Sequence, residues 1–250
     1  MYMSVVELKT GGQVFPELAG ARVLITGLTA TAGVDVARAF AEHKARLVIQ
    51  SPEESPELTA LAAVLAETAS EIKLYNSAVG GNEDAVRLAQ NAAQAFGGLD
   101  TVINIISFSS EDLAKARSVD EIENLVAGKL LPATLITRVA ANRMRLTLTE
   151  GSILNVVLCP VPASGAEAAL IGVIRAALAA LTRGEAKDWA GEVIRINAIG
   201  PRGGMGEPTT GAVLNSEPDI AFLGLHLASK KGRQLSGHVF DAEGVASRRC

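Results

Sequence analysis

Tyrosine is nearly missing from this 250-residue chain: there are two, Tyr2 and Tyr75, both in the first third. Chemistry that relies on a phenol as acid and base must use one of these or do without. Cysteine is equally scarce. Cys159 and Cys250 are the only two, which excludes a disulfide framework or a structural zinc site and points to a reducing, cytoplasmic setting. The three histidines, His43, His226 and His238, fall on different predicted elements without ligand spacing, so no metal is expected. Basic surplus is lacking too: 23 Lys+Arg against 27 Asp+Glu gives a formal charge of −4, which disfavours nucleic acid as a partner. The most apolar stretch, 166–182, carries Glu167 and Arg175 and is too short to span a bilayer, so no membrane role is expected. The opening MYMSVVELKT has no basic start leading into an apolar stretch, and no signal peptide is expected from it.

What is present is core. A content of 48% hydrophobic and 20% charged residues predicts one compact, well-filled domain. Residues 1–19 read as an irregular lead, broken by Gly11, Gly12 and Pro16, and 20–250 as a single domain. Short β-branched runs at 21–27, 46–50, 72–76, 99–107, 152–158, 193–199 and 237–242 predict strands. Helical patterns fall between them: 32–43, from about Pro56, 83–96, 119–145 with a kink near Pro132, Ser164 to about Trp189, and 218–228. Ser164 and Glu167 have capping-box spacing. This alternation predicts an α/β fold, a doubly wound, mostly parallel sheet of seven strands with its first strand at 22–27.

The first strand runs into Thr26-Gly27-Leu28-Thr29-Ala30-Thr31-Ala32-Gly33 and then a helix. A glycine-rich turn there suits a dinucleotide, because the helix N-terminus offers N–H groups and a positive pole to pyrophosphate. The same glycines could instead serve only close strand–helix packing. Further along stand Leu99-Asp100-Thr101-Val102-Ile103-Asn104, then GSILN at 151–155, Ile194-Arg195-Ile196-Asn197-Ala198-Ile199 before Pro201, and Leu235-Ser236-Gly237. In this order the chain resembles the short-chain dehydrogenase/reductase family over about residues 20–244. Thr26, Gly27 and Gly33 match its TGxxxGxG turn, Thr31 replaces the middle glycine, and Asn104 matches the first asparagine of its fourth-strand motif.

The resemblance implies a Rossmann-type fold, an NAD(P) cofactor and hydride transfer to or from a carbonyl. It implies cofactor contacts at Gly27, Thr31, Gly33, Ser51 and Asn104. Ser51 ends the second strand and is followed by Glu53 and Glu54, with no basic residue to hold a 2′-phosphate, so NAD is expected over NADP. Carried across from the flanking matches, the family's serine, tyrosine, lysine and asparagine positions fall on Leu158, Ile171, Arg175 and Lys129. Leucine and isoleucine exchange no proton, and arginine holds its proton too tightly to relay one. Residues 156–181 contain no Tyr or Lys, so a slip of one helical turn restores nothing. The sixteen residues 202–217, rich in glycine, look too short for the helical substrate lid the family carries there.

Three readings follow. The chain is a catalytically silent member that binds a dinucleotide or serves as a non-catalytic subunit beside an active relative. Or it is an NAD-dependent oxidoreductase using an unusual acid/base such as Lys129. Or it is a purely structural homo-oligomer with an empty cleft. Lys129 and Arg175 together could also form an anion site, against the plainer reading that each pairs with a carboxylate. Cys159 reads as a buried structural thiol. The nearly all-round apolar helix at 165–189, with the long helix 119–145, predicts a homodimer or homotetramer.

Overall fold

Short, mostly apolar runs form seven strands: β1 Arg22–Thr26, β2 Arg46–Ser51, β3 Glu71–Asn76, β4 Thr101–Ser107, β5 Ser152–Leu158, β6 Arg195–Pro201 and β7 Val239–Ala242. The computed structural model describes residues 14–202 and 214–242. All seven strands pair in parallel, in the order β3-β2-β1-β4-β5-β6-β7. Crossovers are made by α1 Val34–Glu42, α2 Pro56–Ala66, α3 Asn82–Ala95, α5 Val119–Leu146, α6 Gly165–Asp188 and α7 Glu217–Ala228, with a short α4 Ser110–Lys115 ahead of α5. The expected doubly wound sheet is this fold.

Alternation along β1 divides the core. Val23 and Ile25 pack with α1, α2 and α7, whereas Leu24 packs with α3 and α5 on the other face. A third cluster closes the C-terminal ends of β4 and β5 beneath α4, α5 and α6. The N-terminal lead is more ordered near its end than expected. Phe15 and Leu18 are buried in the first cluster around a 3-10 turn at Pro16–Leu18, and residues 1–13 lie outside the described part.

Boundaries move where single residues set the backbone. β6 begins at Arg195 rather than 193, because Val193 takes a left-handed φ of +56° after a 3-10 turn at Ala190–Glu192. β7 starts after Gly237, whose φ is +80°. α5 runs without interruption through Pro132, and Thr134 donates to the Leu130 carbonyl in that turn at 2.9 Å. Ser164 caps α6 by accepting from the Glu167 N–H, but the Glu167 carboxylate reaches past it to the Ala163 N–H, so only half a capping box forms. By length and a mean hydropathy of 1.5, α6 would suffice to cross a bilayer, yet here it docks on the sheet through Leu170, Ile171, Ile174 and Leu178.

Candidate functional site

The strand order reverses direction between β1 and β4, the place where a doubly wound sheet opens a crevice at its C-terminal edge. An open cleft of about 330 Å³ lies there, lined among others by Gly27, Thr29, Gln50, Ile105, Ser107 and Lys129. The glycines of the turn have packing reasons of their own. A Cβ on Gly27 would overlap the Ile105 carbonyl oxygen, and one on Gly33 would overlap the Ile105 side chain. Both also hold left-handed φ angles, +73° and +86°.

A pyrophosphate bound here would need free N–H groups; the turn spends several of them internally, while those of Ala30, Gly33, Val34 and Val36 have no hydrogen bond among the described residues. The Gly27 N–H donates to the Gln50 side-chain oxygen at 2.8 Å, and the Leu28 N–H donates to the Gln50 carbonyl at 3.1 Å. Thr29 N–H donates to the Ala32 carbonyl at 3.0 Å, and Thr31 N–H to the Thr29 hydroxyl at 3.3 Å. At the start of α1, the Asp35 N–H donates to a Glu217 carboxylate oxygen at 2.8 Å. A negative charge thus occupies the pole that should face phosphate, and Asp35 itself adds another in the same turn. A pyrophosphate here would meet the free first-turn N–H groups of α1 together with the opposing charges of Glu217 and Asp35.

Ser51 and Asn104 are likewise committed. Ser51 is fully buried, and its hydroxyl donates to the Glu53 carbonyl at 2.8 Å, closing its own turn. Asn104 has 0% exposure: its side-chain oxygen accepts from Thr26, while its amide donates to Asn155 at 2.8 Å and to Thr137 at 3.2 Å. Asn104 therefore staples β1, β5 and α5 together and turns no polar atom toward the cleft. One lining group does lack a partner: the Ser107 hydroxyl oxygen is buried without a hydrogen bond.

Of the four positions implied by the resemblance, Lys129 and Leu158 meet at Ser107, which pairs with Leu158 across β4 and β5 and accepts from Lys129 through its carbonyl, while the next residue, Phe108, shares a cluster with Ile171. Leu158 ends β5 and packs with Leu154 and Val156 in the cluster shared with α1 and α7. Ile171, on the first turns of α6, lies in the other cluster with Phe108, Leu113, Leu130, Leu170 and Cys159, and is 5% exposed. Arg175 donates to the Pro201 carbonyl at 3.1 Å and pairs with Asp241 at 2.5 Å, a close ion pair outside hydrogen-bond angles. Lys129 donates to the Ser107 carbonyl at 3.1 Å and pairs with Asp112 at 3.2 Å, beside the Phe108 ring. Each cation thus has its own carboxylate, and the joint anion site considered for them does not form. Burial pushes the Asp112 carboxyl up, but bonds from the Ser109 N–H and Lys129 outweigh it and hold it below the usual range. Burial alone pushes the Cys159 thiol up to about 12, leaving it inert near neutrality. Among the described residues no cluster of three or more His, Cys, Asp or Glu could hold a metal. Most of the glycine-rich stretch 202–217, namely 203–213, lies outside the described residues.

Three participants escaped the sequence reading. Helix α4 buries Leu113 over the cluster around Ile171, and its signal was the full capping box of Ser109 and Asp112. Gln50 and Glu217 carried no local signal, since each acts through a partner 23 or 182 residues away.

Comparison with known proteins agrees with this architecture. Residues 27–222 match the family model described as enoyl-(acyl carrier protein) reductase. The chain is 28% identical over 238 residues to an uncharacterized oxidoreductase of Mycobacterium tuberculosis (strain CDC 1551 / Oshkosh), covering 88% of this chain and 90% of that protein. It is 27% identical over 255 residues to momilactone A synthase of Oryza sativa subsp. japonica, covering 92% and 91%. Among solved structures, a short-chain type dehydrogenase/reductase from Mycobacterium marinum superposes with a TM-score of 0.73 at 19% identity, covering 91% of this chain and 95% of that one. A short-chain dehydrogenase/reductase from Serratia marcescens BCRC 10948 gives 0.72 at 17% identity, covering 92% and 99%.

Proposed function

Because the chain belongs to the short-chain dehydrogenase/reductase family, we propose that it is an oxidoreductase-like member without catalytic turnover, acting as a non-catalytic subunit in a reducing, cytoplasmic setting. Family members generally bind NAD(P). The observation that carries the reading is the burial of Ile171, at the tyrosine position, in an apolar cluster roofed by Leu113 of α4. A proton donor worth typically ~10²–10⁴-fold in rate has no place there. The features that favoured retained dinucleotide binding were Gly27, Gly33 and Asn104, and each has an internal structural role instead. That shifts the balance from sensor to subunit.

A subunit needs a surface. α5 and α6 leave Val119, Leu131, Leu146 and Val173 exposed, apolar side chains that a twofold pairing of these helices would cover. The partner is a second copy or an active relative. Light scattering should return a mass of two or four times 25.9 kDa, and assay with either nicotinamide on carbonyls and alcohols should give no turnover. A monomer at micromolar concentration would refute the homo-oligomer. Robust turnover abolished by Lys129→Ala would identify the relocated-base enzyme instead.

A second reading, a small-molecule sensor, is favoured by one feature. The open cleft retains the unpartnered Ser107 hydroxyl beside the tethered Lys129. Calorimetric titration with NAD(H) and NADP(H) separates the two readings, since the subunit reading expects no saturable heat.

A further inference from the structure

A larger cavity lies at the opposite end of the sheet. It measures about 740 Å³ and opens at the N-terminal ends of β6 and β7, between the last turns of α6 and the segment that follows α7. Four cations line it, Arg183, Lys187, Arg195 and Arg233, with a single carboxylate, Glu150. In a chain whose formal charge is −4, this is a concentrated reversal of sign.

The cations are not consumed by the fold in equal measure. Arg233 pairs with Glu150 at 2.7 Å, which neutralises one of the four. Arg195 is pinned by one nitrogen, Nη1, which donates to the Leu227 carbonyl at 2.5 Å and to the Gly232 carbonyl at 2.9 Å. Those acceptors are neutral, and Glu150, already paired with Arg233, is the one carboxylate lining the cavity beside it. Burial pushes the Arg195 guanidinium below its ordinary range, Glu150 raises it, and Arg233 lowers it further. Arg183 and Lys187 stand one helical turn apart on α6, both exposed, with no hydrogen bond or ion pair among the described residues. A fixed, half-buried guanidinium next to two uncommitted cations is a field that an anion relieves.

The rest of the lining combines apolar Ala186, Ala190, Val193 and Ile194 with Gln234, Ser236 and Gly237. The volume falls within the range typical of small-molecule sites, and a few charged groups around an apolar floor is their usual composition. We propose that this cavity binds a small organic phosphate, its dianionic head between Arg195, Arg183 and Lys187 and its carbon skeleton against Val193 and Ile194. The site is separate from the cleft at the C-terminal strand ends and does not depend on the subunit reading.

The test uses the full chain at low ionic strength and calorimetric titration with phenyl phosphate, inorganic phosphate and phenol. Phenyl phosphate should bind saturably and about threefold or more tighter than inorganic phosphate, because the ring adds apolar burial. Phenol, without charge, should not bind. The double variant Arg183→Gln/Lys187→Gln should weaken phenyl phosphate about tenfold or more. Neither side chain has a partner within the described fold, so the variant should keep the wild-type melting temperature. The control Lys115→Gln/Arg117→Gln removes two charges elsewhere and should leave binding unchanged. Absence of saturable binding to about 10 mM would overturn the proposal. So would equal affinity in the cavity variant, or equal loss in the control, which would mark a diffuse charge effect.

Discussion

The carboxylate of Glu217 accepts a hydrogen bond from the Asp35 N–H at 2.8 Å, joining the first turn of α7 to the first turn of α1 across 182 residues. In a dinucleotide-binding member of this fold, the N-terminus of the first helix is the pole that attracts pyrophosphate. Here the protein supplies its own anion.

The first prediction concerns that contact. Glu217→Gln keeps an acceptor while removing the charge, so saturable NAD(H) binding should appear where the subunit reading expects none from the wild type. Thr31→Gly alone should not bring it about, because Gly27 and Leu28 still donate to Gln50. Calorimetry on both variants measures this. A large gain in the glycine variant with none in Glu217→Gln would place the obstacle at the Thr31 side chain.

The second concerns the residues that the family resemblance implies at 158, 171 and 175. Leu158→Ser, Ile171→Tyr and Arg175→Lys together should not yield a working enzyme. The serine removes a buried side chain from the cluster beside α1, and the tyrosine puts a phenol into an apolar cluster already filled by Phe108, Leu113 and Leu170. Each of these two changes should cost about 1–5 kcal/mol. Urea denaturation should report the loss, and turnover should stay at background. A stable, active triple variant would mean that the cluster opens readily.

These two cases show what the sequence could and could not reveal. The sheet was legible because buried strands are near-continuous apolar runs such as LDTVINIIS, and most strand-to-helix turns carry glycine or a capping serine. The proposed substitution of the acid/base positions was read from residue type. The packing around Ile171 was not legible, since it depends on α4 placing Leu113 in the same cluster. Nor could the sequence tell a glycine that admits a ligand from one that admits the Ile105 backbone. Asn104 looked like a ligand contact for the same reason: a motif fixes the residue but not the direction its amide faces.

The third prediction follows from Asn104. Asn104→Ala should destabilise the chain by about 2–4 kcal/mol, because Thr26, Thr137 and Asn155 lose a buried partner at once. The double variant Asn104→Leu/Asn155→Leu should cost less than the sum of its single variants, since both halves of the polar pair leave together. Chemical denaturation of the four proteins forms the cycle. Strict additivity would argue that the two amides act independently.

The last prediction ties stability to pH through Asp100, which sits before β4 and accepts from Arg22 Nε at 2.9 Å, Nη2 at 2.6 Å and the Arg22 N–H at 2.8 Å. Burial pushes the Asp100 carboxyl up, but the Arg22 side-chain and backbone bonds outweigh it and hold it below its ordinary 3.8. A carboxyl depressed on folding contributes stability that is complete above its unfolded value and is lost as pH falls toward the folded one. The contribution should therefore be whole at pH 7 and fade from about pH 4 downward. The pair is partly exposed, 23% and 31% for the two side chains, so solvent screening keeps the effect small. Asp100→Asn should cost about 1 kcal/mol at pH 7, and the gap to wild type should close as the medium is acidified toward pH 3. Urea midpoints measured across that range decide it. A difference that stayed constant with pH would locate the cost in lost packing at the β1–β4 junction and not in the Asp100 charge.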